Sequence, residues 1–405
     1  MGPSRSFKDE SVAVRILFCN YEYPPLGGGG GVVMAALARE LARRHTVTVL
    51  TSRALGLPAM SLDAGVQVIR VPVFFRRELA VADFPSMLAY LPMGALRGLT
   101  LRPQSGTFDV INTHFAVPTG PLGQLLGRLY GVPNVLSVHG GDLFDPSKRS
   151  SPHRHAWLRV PIARLLRRAD ALVGQSRNTL QHVQDIYGVQ RCAQLIPLGI
   201  DRPSAPPHAE RRGFGLPDEA FVLVTVGRVV PRKATVRLVQ ALHASGVKNA
   251  HLLIVGEGPD APAVRAAAAE AGLSDRVHLL GQVSEERKYQ ALSVADVFVS
   301  TSQHEGFGLV FLEAMAFGLP IICFDHGGQT DFLVDGETGC LLPLNDQERF
   351  ARSIVHLQNA EVRREMAANN RRLVEDYFID KCADRYEAVF EQVVRQFDAR
   401  HRGDS

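Results

Sequence analysis

The sequence predicts an α/β chain of two doubly wound, mostly parallel sheets, one following the other. Short β-branched runs alternate with helical stretches along the whole length. The alternation is interrupted once, by a proline-rich segment at 201–208, and then restarts. The chain has 405 residues, and that length calls for two domains of roughly 150–200 residues each.

The first series opens with VRILFC at 14–19, a buried strand. A glycine loop follows, then an alanine-rich helix from about 32 to 44. Further strands are read at 47–50, 66–71, 110–112, 134–138 and 171–173. Three prolines with serine and alanine make 201–208 the expected interdomain linker. The second series has strands at 221–226, 251–255, 277–280, 297–299 and 320–323, with a helix near 236–242. A long amphipathic helix over about 380–400 carries Tyr386, Val389, Phe390 and Val393 on one face and charge on the other. The expected division is residues 1–200, joined by a C-terminal helix at about 382–405, and residues 201–381.

Hydrophobic residues make up 46% of the chain and charged residues 21%, the profile of a soluble protein with filled cores. A net charge of +4 does not demand a nucleic-acid partner. No run approaches the ~20 apolar residues of a membrane span, and the first ten residues are polar. The five cysteines lack CxxC spacing and read as buried free thiols. These features point to a cytoplasmic setting.

Four segments carry candidate chemistry. Glu305-Gly-Phe-Gly-Leu-Val-Phe-Leu-Glu313 follows a strand and opens a helix. Gly306 and Gly308 allow close backbone approach to a ligand, and the free N–H groups of a helix start hold phosphate. Its two carboxylates can accept hydrogen bonds from hydroxyls at separate points of one extended ligand. Arg228 and Lys233 flank a proline turn after the first strand of the second series, where a diphosphate's charge would be offset. The glycine run 27–31 follows the first strand of the chain and forms an anion cradle, though it is neither G-x-G-x-x-G nor a Walker loop. His139, followed by two glycines at a strand end, can donate to a substrate hydroxyl, and His114 is similarly placed. Each segment also has a plain reading, as a capped helix, a solvated basic loop, a flexible turn or a structural histidine.

Other matches fail. Gly308 occupies the second histidine position of HExxH after His304-Glu305. Gly256-Glu-Gly258-Pro-Asp-Ala261 fits a loose dinucleotide pattern, and a turn about as well. No Asp-x-Asp pair is present, so no metal ligands are assigned.

In this order the motifs resemble the retaining glycosyltransferases of family 4, over nearly the whole chain. The resemblance rests on Pro24-Pro25 with Gly28-Gly29, His139-Gly-Gly-Asp142, Pro197-Leu-Gly-Ile-Asp201, Gly227-Arg228 with Lys233, Val255-Gly-Glu-Gly-Pro259, and the E-x7-E spacing of Glu305 and Glu313. It implies the GT-B architecture, two facing Rossmann-like domains with a cleft between them. It implies that Arg228 and Lys233 bind a donor diphosphate and that Glu313 holds the ribose hydroxyls. Glu305 with Gly306, Phe307, Gly308 and Leu309 would hold sugar and phosphate. Gly28-Gly29 would approach the phosphate, Val283 would meet the base, and His139 would contact the transferred sugar. The implied catalytic set is His139, Glu305, Arg228 and Lys233. Leu198 stands where the family usually has Asn, and Ala234 where Gly is common.

The implied reaction moves a hexose-type sugar from a UDP- or GDP-linked donor to a hydroxyl of a glycan, lipid-linked or small-molecule acceptor. It proceeds with retention and without a metal or other cofactor. Alternatives are a GT-B phosphorylase, a nucleotide-sugar epimerase, or an NAD-dependent oxidoreductase resting on Gly256–Ala261. The acceptor is poorly written. The segments 157–168 and 88–101 mix apolar and Arg positions, and either can rest on an anionic membrane at its inner face or serve as a core helix with a solvated side. Oligomeric state is not readable.

Overall fold

The computed structural model describes residues 13–73, 84–101, 107–146, 151–203 and 209–402. Residues 204–208 of the expected linker lie outside the described residues. By its internal contacts the chain divides into one unit of Met1–Gly199 with Ile379–Ser405, and another of Ile200–Phe378.

The first unit begins with β1 (Arg15–Cys19), α1 (Gly29–Ala42), β2 (Thr46–Arg53), β3 (Met60–Asp63) and β4 (Val66–Pro72). It continues with α2 (Phe84–Thr100), β5 (Val110–His114), α3 (Gly120–Tyr130), β6 (Asn134–Val138) and α4 (Ala156–Arg168). It then runs through β7 (Ala171–Gly174), α5 (Arg177–Asp185) and β8 (Gln194–Leu195). The eight-stranded order is β3-β4-β2-β1-β5-β6-β7-β8, parallel except for the β3–β4 pair. The central strands are buried on both faces, as their near-continuous Val, Ile and Leu runs require.

The second unit contains β9 (Phe221–Val226), α6 (Val236–Ser245), β10 (Ala250–Val255), α7 (Ala261–Glu270), β11 (Val277–Gly281) and α8 (Glu285–Ser293). After these come β12 (Val297–Val299), α9 (Leu309–Ala316), β13 (Ile321–Phe324), β14 (Gly339–Leu342), α10 (Gln347–His356) and α11 (Ala360–Leu373). Its order is β11-β10-β9-β12-β13-β14, all parallel. The last helix, α12 (Ile379–Arg402), returns to the first unit. There Tyr386, Val389, Phe390 and Val393 join Met34, Leu37 and Leu41 of α1 in one core.

Each sheet reverses its winding once. In the first unit the strand order turns between β1 and β5, and in the second between β9 and β12. Open α/β sheets bind ligands outside the carboxyl ends of the strands at such points. Two expectations need correction. Helix α1 starts at Gly29, three residues before the expected position, so most of the glycine run forms its first turn. Cys192 is exposed and Cys340 is half-buried, while Cys19, Cys323 and Cys382 are buried free thiols. Among the described residues no helix is long and apolar enough to cross a membrane.

Candidate functional site

In the second unit the loop after β9 and the loop after β12 leave adjacent strands at the switch point. Glu305, only 7% exposed, lies in the β12 loop. Its carboxylate pairs with Lys233 through Oε1 and with Arg232 through Oε2, the latter at 3.3 Å. Burial opposes the negative charge, but Lys233 and Arg232 together outweigh it and hold the carboxyl below its usual range. Arg232 also donates to the His304 carbonyl. Arg228 behaves differently: its guanidinium is exposed and makes no hydrogen bond or ion pair among the described residues. The two cations paired in the sequence reading are thus unlike. Lys233 is committed to Glu305, and Arg228 is free.

Helix α9 begins at Leu309, with Gly308 as its N-cap. Gly308 has φ +94, and a Cβ there would come within 2.5 Å of the Phe311 ring. A side chain is therefore excluded on two grounds. Phe307 is buried and packs on Phe332 at 5.2 Å between ring centroids. The Gly328 amide donates to the Glu305 carbonyl at 2.9 Å, fixing the loop from behind. Glu313 lies one turn into α9. Its Oε1 accepts from Lys288 of α8 at 2.8 Å, and its Oε2 is buried with no hydrogen-bond partner among the described residues. Burial raises the Glu313 carboxyl above its ordinary range, and Lys288 offsets this only in part. Burial disfavours the Lys288 charge too, but Glu313 and Glu285 raise it on balance.

Val283 follows β11, two strands from β9, and is half-buried. The glycines of the loose dinucleotide pattern have a packing explanation. A Cβ on Gly256 would meet the Gly227 carbonyl at 2.0 Å, and one on Gly258 the Val229 carbonyl at 2.1 Å. They let the loop after β10 lie directly against the loop that bears Arg228. Ala234, expected where Gly is common, adopts φ +48, in the left-handed region.

In the first unit, Gly28 caps α1 without a side-chain bond, and its own N–H donates to Glu22 Oε2 at 3.2 Å. An anion approaching that turn therefore meets a carboxylate already there. His139 follows β6 and is 8% exposed. Its Nδ1 is 3.0 Å from Gln175 Oε1, which can only accept, so Nδ1 carries the proton. Its Nε2 then accepts from His114 Nδ1 at 2.8 Å, and His114 Nε2 accepts from Asn112 Nδ2 at 3.0 Å. Ser137 donates to Asn112 Oδ1, and Tyr386 of α12 donates to Ser137. The expected donation from His139 to a substrate hydroxyl finds no free ring nitrogen here. Parallel pairing of β5 and β6 brings the two histidines together inside the core.

Burial lowers the His139 pKa to about 4 and places that of His114 well below its ordinary value, so both rings are neutral. Asp142 accepts from the Ala116 and His139 amides at 2.6 and 2.9 Å. Burial nevertheless raises its pKa to about 6.

Sequence reasoning missed Arg232, Lys288, Glu22 and Gln175. Arg232 adjoins Lys233, and its basic neighbour was a usable signal. Lys288 and Glu313 meet across two helices 25 residues apart, and one sequence has no signal for such a pairing.

Known proteins resemble this chain in fold and in sequence. Structurally, sucrose-phosphate synthase from Thermosynechococcus elongatus superposes with a TM-score of 0.81 at 23% identity, covering 95% of this chain and 100% of that one. The glycosyltransferase WaaG, involved in lipopolysaccharide biosynthesis, gives 0.69 at 20% identity over 93% and 99%. Anabaena Alr3699/HepE, in complex with UDP and glucose, gives 0.73 at 18% identity over 94% and 100%. The fold is GT-B. Residues 27–202 match Glycosyltransferase Family 4, and residues 208–373 match Glycosyl transferases group 1. A D-inositol 3-phosphate glycosyltransferase of Stackebrandtia nassauensis is 31% identical over 85% of this chain and 82% of its own length. One from Thermobispora bispora is 31% identical over 83% of each. The chain belongs to the family 4 glycosyltransferases and is a glycosyltransferase.

Proposed function

We propose that the enzyme transfers a hexose-type sugar from a UDP- or GDP-linked donor to an acceptor hydroxyl with retention of configuration. The observation that carries this is Glu305 held by Lys233 and Arg232 at the β9–β12 switch point, in the loop that leads into α9 and to Glu313 with its unpartnered Oε2. Two carboxylates, one in the loop and one in the helix it opens, beside two cations of the adjoining loop match a ligand that is hydroxylated at both ends and anionic in the middle. The Anabaena neighbour with UDP and glucose bound supports the same donor class.

In this reading Glu313 Oε2 accepts from a ribose hydroxyl, and Glu305 with the Gly306–Leu309 backbone holds sugar and phosphate. Val283 lies by the base. Arg228 is the uncommitted cation for the diphosphate, and Lys233 shares its charge between Glu305 and the phosphate. Gly28 and Gly29 serve the phosphate only if Glu22 yields the Gly28 N–H. The anomeric carbon–oxygen bond breaks with its electron pair passing to the diphosphate. The acceptor oxygen bonds to that carbon from the same face, and its proton passes to the departing phosphate. Preorganised charges aimed at that oxygen are the main catalytic device. Neutral His139, its ring committed to Gln175 and His114, shapes the first unit's strand ends and moves no proton. The fixed cations replace a metal or cofactor in this scheme, and the setting is cytoplasmic.

A thermal-shift panel of nucleotide sugars tests the donor, since a ligand bound only by the folded chain raises Tm by mass action. The best donor is then assayed for transfer, with the product anomer read by NMR and with chelator present. A panel in which no nucleotide sugar shifts Tm or turns over sinks the donor reading. An inverted anomer sinks retention, and activity abolished by chelator sinks the fixed-cation account.

A further inference from the structure

Helices α2, α3 and α4 follow β4, β5 and β6, and each leads to a strand further in the same direction along the sheet. Right-handed crossovers therefore place all three on one face. They pack side by side there. A Cβ on Gly94 or Gly98 of α2 would fall 2.5 or 2.3 Å from Leu122 or Leu126 of α3, and one on Gly120 of α3 would fall 3.3 Å from Leu165 of α4.

The outward stripes of this layer are not those of ordinary surface helices. On α2 the buried stripe is Ser86, Tyr90, Gly94 and Gly98, and the opposite stripe, Leu88, Pro92, Leu96 and Leu99, is exposed. Apart from Arg97 the helix is apolar or small nearly all round, which is the pattern of a helix covered on both sides. On α3, Leu125 and Leu129 are exposed beside Arg128. On α4 the exposed stripe is Trp157, Val160, Arg164 and Arg168, with Trp157 at 65% and Val160 at 70% exposure. The three helices contain six arginines and no Asp or Glu. Seven of the fifteen exposed large hydrophobic side chains among the described residues lie on them, while the whole second unit has three. Singly scattered apolar residues need no explanation, but a contiguous layer of them does.

We propose that the α2–α3–α4 face docks on an anionic lipid bilayer. A protein partner of mixed charge would bring its own cations against five exposed arginines, Arg128, Arg159, Arg164, Arg167 and Arg168, whose helices carry no Asp or Glu to receive them. Lipid headgroups of one sign supply that complement, and exposed Leu, Val and Trp enter the headgroup–acyl boundary. Tryptophan, with an apolar body and a polar N–H, is favoured at that depth. Docking leaves the three helices in place, so the contact is peripheral. Joined to the transferase reading, on which this step rests, the surface selects a lipid-borne acceptor from the classes open to the enzyme.

The full chain is tested by sedimentation with vesicles of phosphatidylcholine alone and with 30 mol% phosphatidylglycerol (roughly one anionic headgroup in three). Trp157 is the chain's single tryptophan, so its emission reports insertion directly. Expected are pelleting and a blue shift with anionic vesicles only, both weakened by high salt. Leu88→Glu with Leu96→Glu removes both, and Arg159→Gln with Arg164→Gln and Arg168→Gln lowers partitioning about 100-fold. All these positions are exposed, and the thermal shift with the donor identified by the panel serves as the folding control. Wild-type chain left in the supernatant at low salt, or variants that pellet equally, overturns the proposal. So does a chain that is dimeric in sedimentation velocity and becomes monomeric on the Leu→Glu changes without ever binding vesicles. Loss of vesicle binding with donor shift intact rejects the docking face alone. Absence of any donor shift with vesicle binding intact rejects the donor reading alone.

Discussion

At the switch point of the second unit, buried charges face one another: Glu305 with Lys233 and Arg232, and Glu313 with Lys288. At the first unit's β5 and β6 strand ends, beside its own switch point, the buried polar groups form a neutral chain from Tyr386 through Ser137, Asn112, His114 and His139 to Gln175. The topology is alike and the electrostatics are opposite. A parallel sheet offers strand ends and helix starts in either case. What those ends do is set by whether burial is compensated by opposite charge or avoided by keeping the groups neutral.

The largest test of this contrast is Lys233→Ala. Transfer with the identified donor should fall by about 10²–10³-fold, the usual cost of removing one preorganised group. It should also destabilise the second unit, because Glu305 keeps its buried charge with Arg232 alone. Adding Glu305→Gln should recover stability in urea unfolding and leave transfer lost. Arg228→Ala should cut transfer with little change in stability, since that guanidinium is exposed and unpaired. Near-normal transfer by both single variants would remove the phosphate role.

Lys288→Met comes next. It leaves Glu313 in a site that already favours the protonated form, so a ribose hydroxyl loses its charged acceptor. Stability should drop by about 3 kcal/mol and most of it should return with Glu313→Gln. Donor KM should rise more than kcat falls, and an unchanged KM would separate Lys288 from the nucleotide.

The neutral chain predicts a pH response of definite sign. His139 titrates at about 4 when folded against an ordinary 6.5, so the unfolded chain takes up the proton first. Its contribution is full above pH 6.5 and is lost as pH falls toward 4, about 3 kcal/mol in all. Asp142 acts oppositely. Its pKa is raised to about 6, so its burial costs stability above pH 6, and that cost is relieved as pH falls toward 3.8. Asp142→Asn should therefore steepen the acid loss between pH 6 and 4 in unfolding midpoints, and His139→Gln should flatten it. Steepening by His139→Gln would show that the ring is charged in the folded chain.

The smallest effect concerns Ala234, whose φ of +48 glycine adopts without strain. Ala234→Gly should stabilise the second unit by about 1 kcal/mol. A lower unfolding midpoint would mean that the loop bearing Lys233 gains its order from that methyl group.

Much of the fold was legible because buried parallel strands are nearly continuous β-branched runs. Residues 134–138, 221–226 and 297–299 stand out as strands with the bounds they have in the structure. Strands β3, β8 and β14 escaped, since they are short edge strands whose exposed or half-buried positions dilute the pattern. The start of α1 was misplaced because glycine is a poor helix former, yet Gly29–Gly31 form its first turn. The apolar outer face of α2 was visible as composition, but only packing revealed which side of the helix faces out.

Taken alone, the sequence determined which side chains are available at each strand end: Glu305, Glu313, Arg228, Lys233, His139 and the glycines around them. Local pattern suffices for that, because strand period and turn chemistry are properties of neighbouring residues. Tertiary structure alone decided the pairings. It joined Lys233 and Arg232 to Glu305 across 72 and 73 residues, Lys288 to Glu313 across 25, and His139 to His114 across 25. Whether a carboxylate is ionised or a histidine can donate depends on burial and on partners distant in the chain, and those exist only once the sheets have formed.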